Sequence, residues 1–213
     1  MTDAGDLTRF PDLQVRDLGA LRALLADVYL GTVAYIGPHG PDALPTAVAL
    51  HDDRLVWHGS TGAGWLRRLA DGSPVAVSVT ALDGVVVARA SFESSFWYRS
   101  AVIRGIPQVL EGDERGAALD AIVERILPGR TAETRVPSAK ELAATVVLAL
   151  PLDDWTLKAS RDWPEDQPAD VAGDVWAGVV PLEVRHLAPL DAPDLRAGIE
   201  VAASCRRLSP GSE

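Results

Sequence analysis

Between Gly31 and Leu110 the chain is cut into short apolar segments by glycine, proline and Asx turns, and this punctuation is the strongest constraint on its fold. Gly31 to Ile36 and Ala43 to Leu50 read as strands, joined by a turn holding Gly37, Pro38, Gly40 and Pro41. His51, Asp52 and Asp53 turn the chain into a third apolar segment, Leu55 to Trp57. In Pro74 to Leu82, Val75, Val77 and Val79 alternate with Ala76, Ser78 and Thr80, which predicts a strand with one apolar face and one small, hydroxyl-bearing face. Asp83-Gly84 reads as a hairpin turn into Val85 to Arg89. Ser91 to Trp97 reads as a loop, and Tyr98 to Leu110 as a long strand broken at Gly105 and Pro107. Thr145 to Leu152, Trp155 to Arg161 and Val175 to Val180 supply the later strands.

Helical periodicity is confined to a few places. From Arg16, the positions Leu18, Leu21, Leu24, Leu25 and Val28 fall on one face, with Asp17 as N-cap and Gly31 as stop. Asp113 to Leu127 repeats the pattern, and Ser138 with Glu141 forms a capping box for one short turn. About seven short strands with three or so helices, and no alternating strand-helix rhythm, argue for a mostly antiparallel barrel of the α+β kind. The expected organisation is an irregular arm over 1–15, one domain over 16–197 and a tail over 198–213 that either docks or stays disordered.

At 213 residues with 47% hydrophobic content the chain can bury one full core. A net charge of -10, with Lys140 and Lys158 the only lysines, argues against nucleic-acid and anionic-membrane surfaces, which need a concentrated positive field. The single cysteine, Cys205, forms no intrachain disulfide. No apolar run is long enough to span a bilayer and the first residues carry no export pattern, so the expected setting is the cytoplasm.

The stretch most suited to binding is LVWHGSTGAGWLRRL, Leu55 to Leu69: a strand, a turn with three glycines and two hydroxyls, then a short helix with Arg67 and Arg68. Glycines admit a phosphate to backbone N–H groups, Ser60 and Thr61 add hydroxyl donors, and an arginine pairs with phosphate oxygens. The same residues also suit a solvent-facing loop ending in a helix cap. A triphosphate-binding loop is excluded because Trp65 follows Gly64, and a dinucleotide fingerprint because Arg67 stands where a glycine is required. The four histidines, His39, His51, His58 and His186, have no metal-ligand spacing, and no nucleophile elbow occurs. Side chains alone make a poor catalyst here, which raises the weight of a phosphate-bearing cofactor. Tyr98-Arg99-Ser100 and Trp176-Ala177-Gly178 then gain interest, although Tyr98 and Trp176 also suit plain core positions.

Taken in order, HGSTGAGWLRRL, PVAVSVTALDGVVVARASF, YRSAVIRG, ELAATVVLALPL with Lys158, and VWAGVVPL resemble the pyridoxamine 5'-phosphate oxidase-related, FMN-binding split-barrel proteins. The likeness is to the flavin-nucleotide-binding, nitroimidazole-resistance-like branch and runs from about Arg16 to Pro193. It implies a six-stranded antiparallel split barrel with flanking helices that dimerises, with FMN sites at the subunit interface. The strand Pro45 to Ala49 would line the isoalloxazine. His58, Gly59, Ser60 and Thr61 would hold the ribityl phosphate with Arg67 or Arg68. Thr80 would face the flavin, Arg99 and Ser100 would reach the phosphate or ring edge, and Lys158 and Trp176 would approach the cofactor late in the chain. The chain departs from the branch at Ala63-Gly64, where relatives carry a basic pair. It departs again at Glu93, Ser94 and Trp97, which replace two histidines and an asparagine, and after Lys158, where Arg161 would have to substitute.

The resemblance implies an oxidoreductase passing electrons from NAD(P)H through FMN to a small organic substrate. Tyr98, Trp97, Phe96 and Trp176 would wall the ring or substrate. In an alternative biosynthetic redox step Glu93 would be the general base. From a different class, the protein would be a non-catalytic flavin or haem carrier or sensor, with His58 as the one histidine placed to ligate haem.

Overall fold

Asp17 opens the first helix, α1 (Leu18–Asp27), its carboxylate accepting the Gly19 and Ala20 amides at 3.0 and 3.1 Å. Leu21, Leu24 and Leu25 on one side of α1 are fully buried. The helix stops at Val28 rather than at Gly31. Gly31 lies inside β2 (Leu30–Gly37), where a Cβ would meet Val48 Cγ1 at 2.9 Å, so the glycine serves strand packing and not helix termination.

The computed structural model describes residues 11–209. Most of the expected N-terminal arm and the last residues of the expected tail lie outside the described residues. After β2 come β3 (Gly40–Ala47), β4 (Ala49–His51), β5 (Arg54–Ser60), α2 (Gly64–Ala70), β6 (Val75–Val87) and β7 (Ser95–Gly105). They are followed by β8 (Gln108–Leu110), α3 (Gly112–Ile126), α4 (Ala139–Ala143), β9 (Thr145–Pro151) and β10 (Asp154–Ser160). Short α5 (Pro168–Val171), β11 (Gly178–Pro181) and α6 (Ala203–Leu208) end the described chain, and β1 (Gln14–Val15) precedes α1.

All pairings are antiparallel and make two sheets. The larger runs β1-β10-β7-β6-β2-β3, with β11 on β6, and the smaller runs β4-β5-β9-β8. The chain crosses between sheets at Val48 and again at Ile106-Pro107, so two long strands each appear as two segments. This is a split barrel. Its interior is filled by α1 leucines, Leu55 and Trp57 of β5, Leu66 and Leu69 of α2, alternate valines of β6, Ile103, and Leu148 and Leu150. A smaller cluster lies outside the smaller sheet, where Ala118 and Ile122 of α3 pack on Val56, Val147 and Ala149. Arg125 anchors that helix by donating to the Val28 carbonyl at 3.0 Å.

Two local expectations change. Asp83-Gly84 makes no hairpin: β6 runs straight through it, with a bulge between Leu82 and Gly84, and keeps pairing with β7. The physical reason is lateral, because Asp83 binds Arg99 on β7 and Gly84 sits under β11, where a Cβ would meet the Val180 carbonyl at 3.1 Å. The reversal comes later, at residues 88–94, so Phe96 and Trp97 belong to a strand and not to a loop. The tail segment docks through α6: Glu133 accepts the Ser204 amide at 2.8 Å and hydroxyl at 2.5 Å. No helix among the described residues is long and apolar enough to cross a membrane.

Gly59 is held to glycine by packing, since a Cβ there would lie 2.5 Å from Leu66 Cδ1, and Leu66 is fully buried. Gly59→Val is therefore expected to overpack the seat of α2 and cost about 1–3 kcal/mol, read as a lowered midpoint in urea with an unchanged slope.

Among the described residues five carboxylates sit below the usual range. The Arg99 guanidinium lowers Asp83, the Thr131 hydroxyl and the amides of Gly129 and Thr131 lower Glu124, Ser204 lowers Glu133, and the Arg135 guanidinium with Ser138 lowers Glu141. Burial pushes Asp166 up, but the amides of Ala90 and Arg89 and the Arg89 side chain outweigh it and leave the group depressed. Each contributes stability that is complete above the unfolded carboxylate range of about 3.9 to 4.3 and is lost as pH falls through the lower folded values. Melting temperature should hold from pH 7 to about 5 and drop steeply below about 4. A flat profile down to pH 3 would contradict this.

Candidate functional site

Register brings four of the residues expected near a cofactor onto one face of the larger sheet. Thr80 of β6 pairs with Ser100 of β7, Ser100 pairs with Lys158 of β10, and Leu82 pairs with Tyr98 beside them. Directly opposed residues in an antiparallel pair share a face. The neighbouring row, Pro45, Thr32, Ser78, Val102 and Thr156, continues the same surface, which is the hydroxyl-bearing side of β6. Lys158 Nζ lies 5.4 Å from the centre of the Tyr98 ring, a cation-π contact that fixes both side chains over the strands. The result is an open surface of hydroxyls with one ammonium and one phenol.

Arg99 points the other way. Its guanidinium donates to both Asp83 oxygens at 2.9 and 2.8 Å and to Asp27 at 2.5 Å, joining β7, β6 and the end of α1. Those carboxylates raise its pKa above the ordinary arginine value. Trp97 is also engaged: its indole N–H donates to the Asp162 carbonyl at 2.8 Å, Trp163 packs against it edge-on at 5.8 Å, and Arg161 lies over its ring. Phe96 beside it is half exposed. Glu93 sits half-buried in a single helical turn, Ser91–Glu93, while the buried carboxylate of this region is Asp166. Trp176 is 63% exposed and folds onto Gly178, where a Cβ would touch its ring at 2.8 Å.

The glycine turn between β5 and α2 spends its own amides. Thr61 N–H donates to the Ala144 carbonyl, Gly62 N–H to Ser60 Oγ, and Ala63 N–H to the Ser60 carbonyl. None of Gly59, Gly62 and Gly64 has a left-handed φ, but packing separates them: a Cβ at Gly62 or Gly64 would meet only Ser60 Oγ at 3.4 Å or Arg67 Nη2 at 3.9 Å. Packing does not require glycine at these two positions, and their lack of a side chain leaves the space above the turn open. Arg67 folds back over that space, and among the described residues no hydrogen bond or ion pair engages its guanidinium. Arg68 beside it is exposed, as are Ser60 and Thr61.

His58 belongs to neither group. On β5 it shares a face with Val56, on the outer side of the smaller sheet, and it pairs with Val147. There α3 leaves the end of the sheet uncovered, and a cavity of about 560 Å³ lies between the strands, α3 and the loop of residues 131–142. Its walls are mostly apolar, with Leu119, Ile122, Val123 and Ile126 from α3 and Val136 and Leu142 opposite. His58 Nδ1 is buried without a hydrogen-bond partner among the described residues, and burial lowers the imidazole pKa from its ordinary value. The rim is held by Glu141, which caps Ser138 and takes both Arg135 nitrogens at 2.8 and 2.6 Å. Nothing in the chain's pattern marks this cavity except the strand alternation that puts His58 opposite Trp57.

A profile of the family described as pyridoxamine 5'-phosphate oxidase matches residues 17–159. No curated protein sequence matches the chain. Among solved structures, the FAD and heme binding protein from Mycobacterium smegmatis is 50% identical, covers 92% of this chain and 97% of its own, and superposes with a TM-score of 0.89. The flavocytochrome Anf3 from Azotobacter vinelandii is 26% identical over 97% of both chains, again with a TM-score of 0.89. A Bacteroides thetaiotaomicron protein described as a 5-nitroimidazole antibiotic resistance protein shares the fold, at 20% identity over 68% of this chain and 85% of that one, with a TM-score of 0.58. Sequence profile and architecture coincide on the same residues, and the chain belongs to the pyridoxamine 5'-phosphate oxidase family.

Proposed function

We propose that this protein is a flavin- and haem-binding redox protein, acting as a homodimer, whose flavin takes electrons from NAD(P)H. The observation that carries the reading is the 50% identity, over nearly the whole chain, to a protein that binds FAD and heme. Two separate places suit the two groups: the hydroxyl face with its phosphate turn, and the His58 cavity.

The residues present fit a flavin phosphate. Gly62 and Gly64 leave room above a turn whose packing does not need glycine, and Arg67 beside it is a cation without a partner among the described residues. The 50% identical relative binds FAD, which favours FAD over FMN. Thr80, Ser100 and Lys158 would hydrogen-bond the polar edge of the ring, and the Tyr98 side chain would wall one end. Bound flavin supplies one- and two-electron chemistry that these side chains lack.

Dimerisation has its own support. Leu30 is 62% and Leu82 45% exposed on the hydroxyl face, and Phe96 and Val180 lie exposed on the strands that continue it. A second copy covering this face would bury them and exclude water from the ring.

The test is the absorbance of the purified protein, followed by reconstitution with FAD, FMN and haemin in separate titrations. Flavin bands with a Soret band are expected, with FAD bound more tightly than FMN, and anaerobic NADH or NADPH should bleach the flavin. Protein that takes up no flavin from either solution would overturn the reading. Sedimentation at micromolar concentration should give twice the chain mass of 22.6 kDa.

A further inference from the structure

We infer that the cavity between α3 and the smaller sheet is the haem site of this protein, and that His58 is its iron ligand. The inference rests on the haem binding proposed above and assigns it a place and a residue. Three observations converge on the cavity. Its volume of about 560 Å³ falls within the usual range of roughly 300–1,000 Å³ for ligand sites. Half of its lining residues are apolar, branched aliphatic side chains of α3 on one side and Val136, Pro137 and Leu142 on the other; besides His58 the rest are polar, Asp120, Thr131, Thr134, Arg135, Glu141 and Thr145. The histidine that reaches it is the only one among its lining residues, and no cysteine, methionine or tyrosine lines it.

The imidazole is ready for a metal. An iron ligand must be a ring with a lone pair to give, and the buried Nδ1 of His58 makes no hydrogen bond among the described residues. Its strand is held rigidly, with Trp57 on the inner side fully buried and β9 paired along its whole length. The ligand therefore stands on a scaffold and not on a loop.

Position also separates this cavity from the flavin face. Thr80, Ser100 and Lys158 lie on the larger sheet, whereas His58 looks out from the smaller one towards α3. Yet Ser60, which opens the phosphate turn, is only two residues further along β5. One strand thus carries the haem ligand and leads directly into the proposed flavin-phosphate turn, which links the two groups through a short, rigid piece of backbone.

The experiment is a haemin titration of the full chain followed by its Soret band, by low-temperature electron paramagnetic resonance and by melting temperature. It compares wild type with His58→Gly and Val123→Trp. His58→Gly should weaken haemin binding at least tenfold or move the Soret band, and added imidazole should restore the wild-type spectrum. Val123→Trp fills the cavity from α3 without touching the ligand and should also weaken binding about tenfold, with flavin uptake preserved as the control for folding. If wild type gains no Soret band, the haem reading itself fails and this inference falls with it. If wild type binds haemin but His58→Gly gives a superposable spectrum that ignores imidazole, the assignment of His58 is wrong while haem binding stands. If Val123→Trp alone leaves affinity unchanged, the haem lies elsewhere. Should His58→Gly not fold, His58→Met is read in its place: a changed ligand signature supports the inference and an unchanged one overturns it.

Discussion

Arg99→Ala is expected to lower the stability of the fold by about 2 kcal/mol and the melting temperature by about 4–8 °C, while the folded fraction still takes up flavin. The guanidinium makes three hydrogen bonds to two carboxylates and is one-third exposed, so its loss costs less than breaking a fully buried pair. Asp83 and Asp27 would then face each other across an empty site near the bulge in β6. Arg99→Lys should recover only a minority of the loss, because one ammonium cannot span both carboxylates in a fork. Thermal melts of the flavin-free protein check the first part, and FAD titration checks the second. A variant with wild-type melting that no longer binds flavin would reverse the assignment and make Arg99 a cofactor residue.

Arg67→Glu should do the opposite. The expected result is flavin affinity reduced about 100-fold with melting of the flavin-free protein unchanged, because the exposed Arg67 side chain has no partner to lose among the described residues. The substitution removes a charge-assisted donor and places a carboxylate over the open turn, where it repels phosphate. Arg67→Ala, lacking the repulsion, should fall about tenfold. Both losses should shrink at high salt, since the site is exposed and its charge is screened. Affinity equal to wild type for Arg67→Glu would remove the glycine turn from flavin binding altogether.

The barrel was legible because its signals are local. Asp17 caps α1 through amides two and three residues on, and Ser138 and Glu141 close a capping box within one turn, so spacing alone suffices. The alternation in β6 likewise declares which side of the strand carries hydroxyls, and that side carries Thr80. What failed was decided across the sheet. Asp83-Gly84 has the composition of a tight turn, and only the Arg99 partner 16 residues away makes it a bulge in a continuous strand. The carboxylate that organises the loop near Glu93 is Asp166, 77 residues from the Arg89 it binds, in a stretch whose prolines and acids suggest only a surface loop. The sequence lists the expected cofactor residues in a row, and register distributes them over two sheet faces and a barrel end. A linear motif does not contain that information, because adjacent strand positions such as Trp57 and His58 look into different rooms.

The clasp between Glu133 and Ser204 spans 71 residues of chain. On a ribosome, the strands of the barrel and the helix beside the cavity all emerge before the segment that fastens the cavity's rim. The clasp is therefore closed last in synthesis, onto a barrel whose strands are already complete.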